Sequence, residues 1–307
     1  MKDATDAADA LAPRISPSTG PGSPEVAAFY EPDTGSVQYV AIDPATGKAA
    51  LIDVVLNFDP RAARVSTEAA QRVLDWVRAR GLTVEWILDT HPHADHFMAS
   101  AWLKERLGAP AAIGEKVREI AGIWGDLYGN PEAYDPDRDF DRLFADGETF
   151  RLGELEVTVT LSPGHTLGSV SYVVGDAAFV HDTLMHVDVG SSRADFPGGA
   201  ADVLWDSIQA ILALPEATRL FVGHDYGAAG RESWACEATV AEHRARNPHV
   251  GAGATKESFV AVREARDATL ALPDRMLFAL QVNLRGGRLP EPGPDGRRRY
   301  LIPADRF

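Results

Sequence analysis

Residues 89–97, DTHPHADHF, gather side chains that bind metal ions. His91, His93, Asp95 and His96 stand at positions i, i+2, i+4 and i+5 of one short turn. Neutral imidazoles and carboxylates are the ligands that borderline and hard divalent metals prefer. So many polar groups beside a buried strand would be costly unless a cation compensated them. The spacing therefore predicts a metal site in this turn.

Further ligand-capable residues follow three other predicted strands. They are His165 after strand 155–161, Asp182 at the end of strand 177–182 and His224 at the end of strand 219–224. The turn itself follows predicted strand 84–90. Side chains at the carboxyl ends of strands converge above a rigid sheet, so these four stretches are expected to meet around a cation.

The remaining histidines lack such a pattern. A single histidine at the end of a strand is usually a surface or core group and not a ligand. His181 and His186 are therefore interpreted as supporting or surface residues, and His243 and His249 as surface residues.

Strands and helices must alternate to position this turn. Two apolar runs at 37–43 and 49–55 are separated by PATGK and predict a hairpin, and the apolar spacing over 67–81 predicts an amphipathic helix. The segment 124–143 is expected to be a long irregular connection that borders the site. We predict an α/β fold, a four-layer αββα sandwich of two mixed β-sheets flanked by helices.

Three parts of the chain are expected from its composition. Residues 1–25 predict a flexible tail, 26–250 the main domain, which contains all the ligand-capable stretches, and 251–307 a C-terminal extension packed on the same domain. The extension contains Arg285, Arg288 and the run 297–299, interpreted as a solvated edge. The alternatives are that this edge steers an anionic thiol or docks a second subunit in a homodimer.

Composition limits the classes of function. The 307 residues are 45% hydrophobic and carry a formal net charge of −15, which repels polyanions and argues against a nucleic-acid binder. No apolar run approaches the roughly 20 residues that span a bilayer, and no signal peptide is visible, so a cytoplasmic protein is expected. The single cysteine, Cys236, fits a reducing compartment and is interpreted as a buried residue within a helix.

HPHADH, SPGHT, the downstream aspartate and a final GHD resemble the H-x-H-x-D-H signature of the metallo-β-lactamase fold superfamily, over about residues 36–250. In two-metal members such as glyoxalase II, the resemblance implies three groups of ligands. They are His91, His93 and His165 on one metal, Asp95, His96 and His224 on the other, and Asp182 between the two.

SSRADFPGG (191–199), GHDYG (223–227) and VAEHRARNPH (240–249) resemble the persulfide dioxygenases, also called sulfur dioxygenases. That resemblance implies one Fe(II) held by His91, His165 and Asp182. It places Arg193 against glutathione and Tyr226 beside the substrate. Asp95, His96 and Tyr226 are then the candidate catalytic residues, while the other motif residues orient the ligands. The chain departs from the family at Ser191 and Ser192, where members often carry a cysteine before the arginine.

The resemblance implies oxidation of glutathione persulfide, or of a similar low-molecular-weight persulfide, with O₂ and water to glutathione and sulfite. The alternative is a hydrolase of the glyoxalase II type with two Zn(II) ions that cleaves a thioester, ester or lactone, because the same seven ligands serve it. A metal-stabilised binding module is disfavoured, since structural zinc sites have four ligands and are commonly rich in cysteine. The expected partners are a small thiol persulfide and O₂, without nucleic acid or membrane.

Overall fold

The computed structural model describes residues 12–305. Its strands, in chain order, are β1 (Arg14–Ser16), β2 (Glu25–Glu31), β3 (Ser36–Asp43), β4 (Lys48–Ile52), β5 (Val55–Asp59), β6 (Arg64–Ser66), β7 (Thr83–Leu88), β8 (Phe97–Met98), β9 (Ala111–Gly114), β10 (Arg142–Phe144), β11 (Thr149–Leu152), β12 (Leu155–Leu161), β13 (Val170–Val174), β14 (Ala177–Phe179), β15 (Arg219–Phe221) and β16 (Glu237–Thr239). Its α-helices are α1 (Glu68–Ala79), α2 (Ser100–Leu107), α3 (Val117–Tyr128), α4 (Pro136–Asp139), α5 (Ala201–Leu212), α6 (Val240–Arg246), α7 (Lys256–Asp267) and α8 (Met276–Asn283).

Two mixed sheets form the centre of the fold. One has the order β1-β2-β3-β4-β7-β9-β10, antiparallel up to β4 and parallel beyond it. The other has the order β11-β12-β13-β14-β15-β16, with β14 and β15 parallel and the remaining pairs antiparallel. A small third sheet, β6-β5-β8, carries the residues that immediately follow the metal-binding turn.

Both faces of β3 are buried, which explains its nearly continuous apolar sequence. Val37, Tyr39 and Ala41 pack toward the second sheet, whereas Val40 and Ile42 pack toward the core shared with α1 and α2. Successive side chains of a strand point to opposite faces, so one strand serves both cores. This layering confirms the predicted αββα class.

The hairpin and first helix are where the sequence predicts them. Strands β3 and β4 pair antiparallel. Helix α1 buries Ala70, Val73, Leu74 and Val77, and the chain leaves it at Gly81, whose φ of 65° lies in the left-handed region that glycine enters without strain.

The prediction of a tail over residues 1–25 is wrong for its second half. Residues 1–11 lie outside the described residues, but β1 pairs with β2 and Ser23 is buried. The guanidinium of Arg219 donates to Ser16 Oγ at 2.7 Å and to Ser23 Oγ at 3.1 Å, which fastens this segment to the second sheet. Its low apolar content concealed these polar attachments.

The segment 124–143 is more regular than expected. Trp124 and Tyr128 lie on the buried face of α3, which begins seven residues before the segment, and α4 and β10 follow. The segment does border the site, because Trp124 lines a small cavity together with His91 and His165.

Cys236 is buried as expected, but it lies just before β16 and not in a helix. The helix starts only at Val240, after Thr239. The Thr239 hydroxyl accepts from the amide of Glu242, whose carboxylate accepts from the Thr239 amide, and this reciprocal cap fixes the boundary.

The C-terminal arginines are largely neutralised. Arg288 pairs with the buried Asp139, and Arg299 pairs with Asp295. Ahead of them, α7 packs on α5 and α8 contacts β8. Across residues 12–305, the helices are too short or too polar to cross a membrane.

Candidate metal centre

The structure brings the four predicted ligand stretches together where β7, β12, β14 and β15 end. Asp182 Oδ2 lies 3.6 Å from both His91 Nε2 and His165 Nε2. Two ligand atoms about 2.1 Å from one ion and at 90–110° to each other are about 3.0–3.4 Å apart. These three side chains, each more than nine-tenths buried, therefore have nearly the spacing of ligands to a shared cation.

The second predicted group adjoins the first. His224 Nε2 is 2.7 Å from Asp95 Oδ2, and His224 Nδ1 is 2.6 Å from Asp182 Oδ1. The ring of His96 stacks on that of His93 with centroids 4.1 Å apart, and ligand atoms of His93, Asp95 and His96 lie within 4.8 Å of one another. All seven predicted ligands are thus in one cluster.

Hydrogen bonds fix which nitrogen each imidazole presents. His165 Nδ1–H donates to the Arg193 carbonyl at 2.8 Å, His93 Nε2–H donates to Asp53 Oδ1 at 2.9 Å, and His96 Nδ1–H donates to the Phe97 carbonyl at 3.2 Å. The opposite nitrogens therefore carry lone pairs. Those of His93 and His96 are buried and find no hydrogen-bond partner anywhere in the described part of the chain. A bound cation would satisfy both, so the residues fit a metal.

The charge states of the imidazoles and of Asp182 also suit metal binding. Burial, reinforced by neighbouring imidazoles, holds the pKa of His91 and of His93 well below its ordinary value, so both rings are neutral at pH 7. Burial opposes ionisation of Asp182, but His224 and His181 outweigh it and hold the pKa of that carboxyl well below its usual range. Neutral imidazoles and an ionised carboxylate are the forms that bind metal.

Two positioning residues were missed by sequence reasoning. Asp53, which is fully buried, accepts the His93 proton and also the amide of Thr90 at 2.8 Å. Asn283 at the end of α8 donates to the carbonyls of His93 and His96 at 2.7 and 2.8 Å, and its Oδ1 accepts from the Met98 amide at 2.8 Å. Both lie far away along the chain, and neither belongs to a motif.

His181 is buried in the cluster and not at the surface, where sequence reasoning allowed it. Its Nε2 lies 3.1 Å from Asp53 Oδ2, and its ligand atom lies within 4.8 Å of those of His91, His93 and Asp182. Its φ of +43° is in the left-handed region, which costs a residue other than glycine on the order of 1–3 kcal/mol.

The surface assignments of His243 and His249 are also wrong. His243 is fully buried in α6, where it contacts Asn247. His249 is half-buried, and its Nδ1 accepts from the amide of Ser191 at 3.1 Å. Whether a histidine is buried by a neighbouring helix or loop depends on distant parts of the chain, so the adjacent sequence does not reveal it. His186, in contrast, pairs with Asp188 outside the cluster.

A cavity of about 580 Å³ opens onto the cluster, within the range of small-molecule sites. Its wall combines His165, Asp182, Asp95 and His224 with the apolar side chains of Met185, Val189, Phe196, Val262 and Leu270 and with Arg193, Tyr226, Arg263 and Arg266. The exposed Tyr226 stacks on the ring of His224, with centroids 5.4 Å apart.

The arginines of the cavity differ in their charge partners. Arg193 is held by a two-pronged ion pair with Asp195, at 2.6 and 2.8 Å, and Arg263 by an ion pair with Asp267 at 2.7 Å. Arg266 forms no ion pair with any residue from 12 to 305 and contacts only Thr269. Arg266 is therefore the uncompensated cation of this wall.

The loop that carries Arg193 is fastened to α7. Arg263 donates to the Ser191 carbonyl at 2.9 Å, and Asp267 accepts from the Ala194 amide at 2.9 Å. The hydroxyl of Ser192 donates to the Asp182 carbonyl. Ser191 and Ser192, where the chain departs from the persulfide dioxygenase pattern, are thus buried structural groups beside the site.

Comparison with known proteins decides the family. The sequence profile of the metallo-beta-lactamase superfamily matches residues 32–224. The chain belongs to this superfamily. The matched span contains all seven predicted ligands of the metallo-β-lactamase pattern.

Three known proteins are similar to this chain. The beta-lactamase hydrolase-like protein of Agrobacterium fabrum is 54% identical over 283 residues, which are 92% of this chain and 65% of that protein. The human mitochondrial persulfide dioxygenase ETHE1 is 29% identical over 262 residues, with 84% of this chain and 87% of that protein covered. The crystal structure of ETHE1 from Myxococcus xanthus superimposes with a TM-score of 0.67 at 30% identity, covering 85% of this chain and 98% of that one. This metallo-β-lactamase superfamily member therefore spans less than two thirds of its Agrobacterium relative.

Proposed function

We propose that the protein is a non-haem iron persulfide dioxygenase that oxidises glutathione persulfide, or a similar small thiol persulfide, to sulfite and thiol. The observation that carries the proposal is the three-ligand group formed by His91, His165 and Asp182. His165 and Asp182 line the cavity, together with Arg193 and Tyr226. The similarity to the human persulfide dioxygenase supports the same assignment.

Two imidazoles and one carboxylate are the ligand set of non-haem Fe(II) oxygenases. Fe(II) held by these residues would leave positions for the substrate sulfur and O₂ and would supply the electrons that activate O₂. The chain's own contribution is to keep His165 and His91 neutral by burial. It keeps Asp182 ionised, against the effect of burial, through the contacts of its carboxylate with His224 and His181.

The cavity wall suits a thiol carrier with an anionic end. Met185, Val189 and Phe196 line an apolar part that excludes water from the reacting sulfur. Because Arg193 is already paired with Asp195, we assign recognition of a substrate carboxylate chiefly to Arg266, and an orienting contact to Arg193. Arg193 also holds His165 through its carbonyl, so its backbone links the substrate side of the cavity to the ligands.

The thiolate product needs a proton. Asp95 Oδ2 and His224 Nε2 are 2.7 Å apart and both line the cavity. Despite burial, Asp182 and Asp95 raise the pKa of His224 well above its ordinary value, so this ring is charged and can donate a proton to the product. Tyr226 covers the outer face of His224 and shields that pair from bulk solvent. The ligand atom of His96 lies within 4.8 Å of that of Asp95.

A second candidate is a hydrolase with two Zn(II) ions that cleaves a thioester, ester or lactone. The buried, unpartnered nitrogens of His93 and His96 favour it, because each would complete one of the two sets of ligands: His93 that of His91 and His165, and His96 that of Asp95 and His224. The hydrolase-like name of the Agrobacterium relative points the same way. In that case the two metals would supply a hydroxide nucleophile, and Asp182 would lie between them.

One experiment separates the two functions. The protein is purified without oxygen, its metal content is measured, and portions are loaded with Fe(II) or Zn(II). The iron form should consume O₂ when glutathione persulfide is added and should release sulfite, whereas neither form should hydrolyse a glutathione thioester. Thioester hydrolysis by the zinc form, without O₂ uptake by the iron form, would reverse the assignment.

The remaining parts of the proposal are its cellular setting and assembly. A small thiol persulfide and O₂ are the proposed partners, in the cytoplasm. Of the C-terminal arginines, the run 297–299 is exposed to solvent, whereas Arg285 and Arg288 are half-buried. A homodimer stays a prediction that sedimentation of the purified protein would test.

A further inference from the structure

His181 occupies a backbone position that glycine would fill at lower cost. Its φ is +43°, and it directly precedes Asp182. Space for its ring exists only because residue 223 is glycine: a Cβ at Gly223 would lie 2.4–2.6 Å from three atoms of the imidazole. A strained backbone conformation of this kind persists only where contacts with the surrounding structure offset its cost.

Both ring nitrogens of His181 face carboxylates. Nε2 lies 3.1 Å from Asp53 Oδ2, and Nδ1 lies 3.4 Å from Asp182 Oδ1. Nδ1 is nevertheless buried without a hydrogen-bond partner, in the same condition as Nδ1 of His93. The Asp53 carboxylate lies 2.9 Å from Nε2 of His93 and 3.1 Å from Nε2 of His181, so Nδ1 is the nitrogen without a hydrogen-bond partner in both rings.

That space is where the ligand atoms gather. The rings of His91 and His93 lie 5.2 and 4.6 Å from the His181 ring, and one ligand atom from each of these residues and from Asp182 falls within 4.8 Å of the others. We propose that His181 is an additional ligand of the metal centre and coordinates the ion through Nδ1, with the Asp53 carboxylate 3.1 Å from its Nε2.

The proposal does not depend on the reaction catalysed. It requires only a cation within the cluster. An additional imidazole would leave one open coordination position fewer than the three-ligand face alone. The rival account is that His181 merely fills space between Asp53 and Gly223.

Cadmium is a suitable probe, because ¹¹³Cd couples through bonds to the ring protons of the histidines that bind it. The metal-free full-length chain is saturated with ¹¹³Cd²⁺, and proton–cadmium correlations are recorded. Coordination through Nδ1 should give a correlation to Hε1 of His181 without one to Hδ2. The chain has nine histidines, so the spectrum is simple enough to assign.

Two variants identify the signal. His181→Gly should remove that correlation and raise the dissociation constant for Cd²⁺ by about tenfold or more. The metal-free variant should unfold at the same denaturant concentration as the metal-free parent or a higher one, because glycine adopts this φ freely. If the glycine variant does not fold, His181→Asn replaces it in the same measurements, because asparagine also tolerates positive φ.

The control is His186→Gln. His186 lies outside the cluster, so this substitution should leave the correlations unchanged.

A cadmium-saturated parent protein without any coupling to His181 would overturn the proposal, whatever the variants do. So would a His181→Gly protein that loses stability without metal but keeps its affinity for Cd²⁺, since that is the behaviour of a space-filling residue.

Discussion

Asn283 offers a direct test of how the metal-binding turn is held. Its side chain is fully buried and makes three hydrogen bonds, to the carbonyls of His93 and His96 and to the amide of Met98. The substitution Asn283→Ala leaves all three backbone groups without a partner. Each unsatisfied buried group costs about 1–3 kcal/mol, so allowing for relaxation we expect a loss of about 3–5 kcal/mol in the free energy of unfolding.

The turn should also lose its shape. Asn283 holds the carbonyls of two candidate ligands, His93 and His96, so metal affinity should fall by about 10–100-fold when it is removed, as for other groups that support ligands. Urea unfolding of the metal-free protein measures the first effect, and competition with a chelator measures the second.

Gln281 provides a matched control on the same helix. It too is buried and makes three hydrogen bonds with backbone groups, but these are to Leu277 and Leu301, away from the turn. Gln281→Ala should lower stability while leaving metal affinity unchanged. If both variants lowered affinity equally, or neither did, the reasoning about the turn would be refuted.

Three further outcomes are expected. Burial lowers the pKa of His243 to about 4. Between pH 6.5 and 4 the unfolded chain therefore takes up a proton that the folded chain does not. The free energy of unfolding falls by up to about 3 kcal/mol as the pH drops through this range. Urea unfolding of the metal-free protein at pH 7 and 4.5 checks this: His243→Gln should show a correspondingly smaller fall than the parent, and equal falls would contradict it. Arg266→Gln should raise KM for glutathione persulfide about fivefold at unchanged kcat, because an exposed cation contributes to binding rather than to the chemical step; steady-state O₂ uptake measures it, and an unchanged KM would exclude the assigned role. Gly223→Ala forces a methyl group against the His181 ring and should cost about 1–3 kcal/mol of stability, whereas a thermal midpoint equal to the parent's would mean that the ring moves freely.

The sequence predicts which ligand-capable side chains cluster, because the pattern that marks them is local. His91, His93, Asp95 and His96 share one turn, and the turn follows a strand whose apolar run is readable. The layers follow from period-2 and period-3.6 patterns such as those of β3 and α1. These features need no knowledge of what lies far away along the chain.

The supporting residues could not be predicted for the opposite reason. Asn283 is an ordinary helical residue in sequence, and only the packing of α8 against β8 brings it to a turn 190 residues earlier. The role of His181 depends on a backbone angle, and that of Asp53 on a contact with two rings. Residues 14–16 form a strand because Arg219 and β2 hold them, which their own composition does not indicate.

The bond between α8 and the metal-binding turn also orders events during synthesis. When His91 to His96 leave the ribosome, the helix that holds their carbonyls has not yet been made, because Asn283 follows the turn by almost two hundred residues. The nascent turn therefore has its imidazoles but not its fixed geometry, and it should bind any available transition metal weakly and without selectivity. Tight capture of an ion therefore becomes a late step of biogenesis, which follows the synthesis of the chain as far as α8.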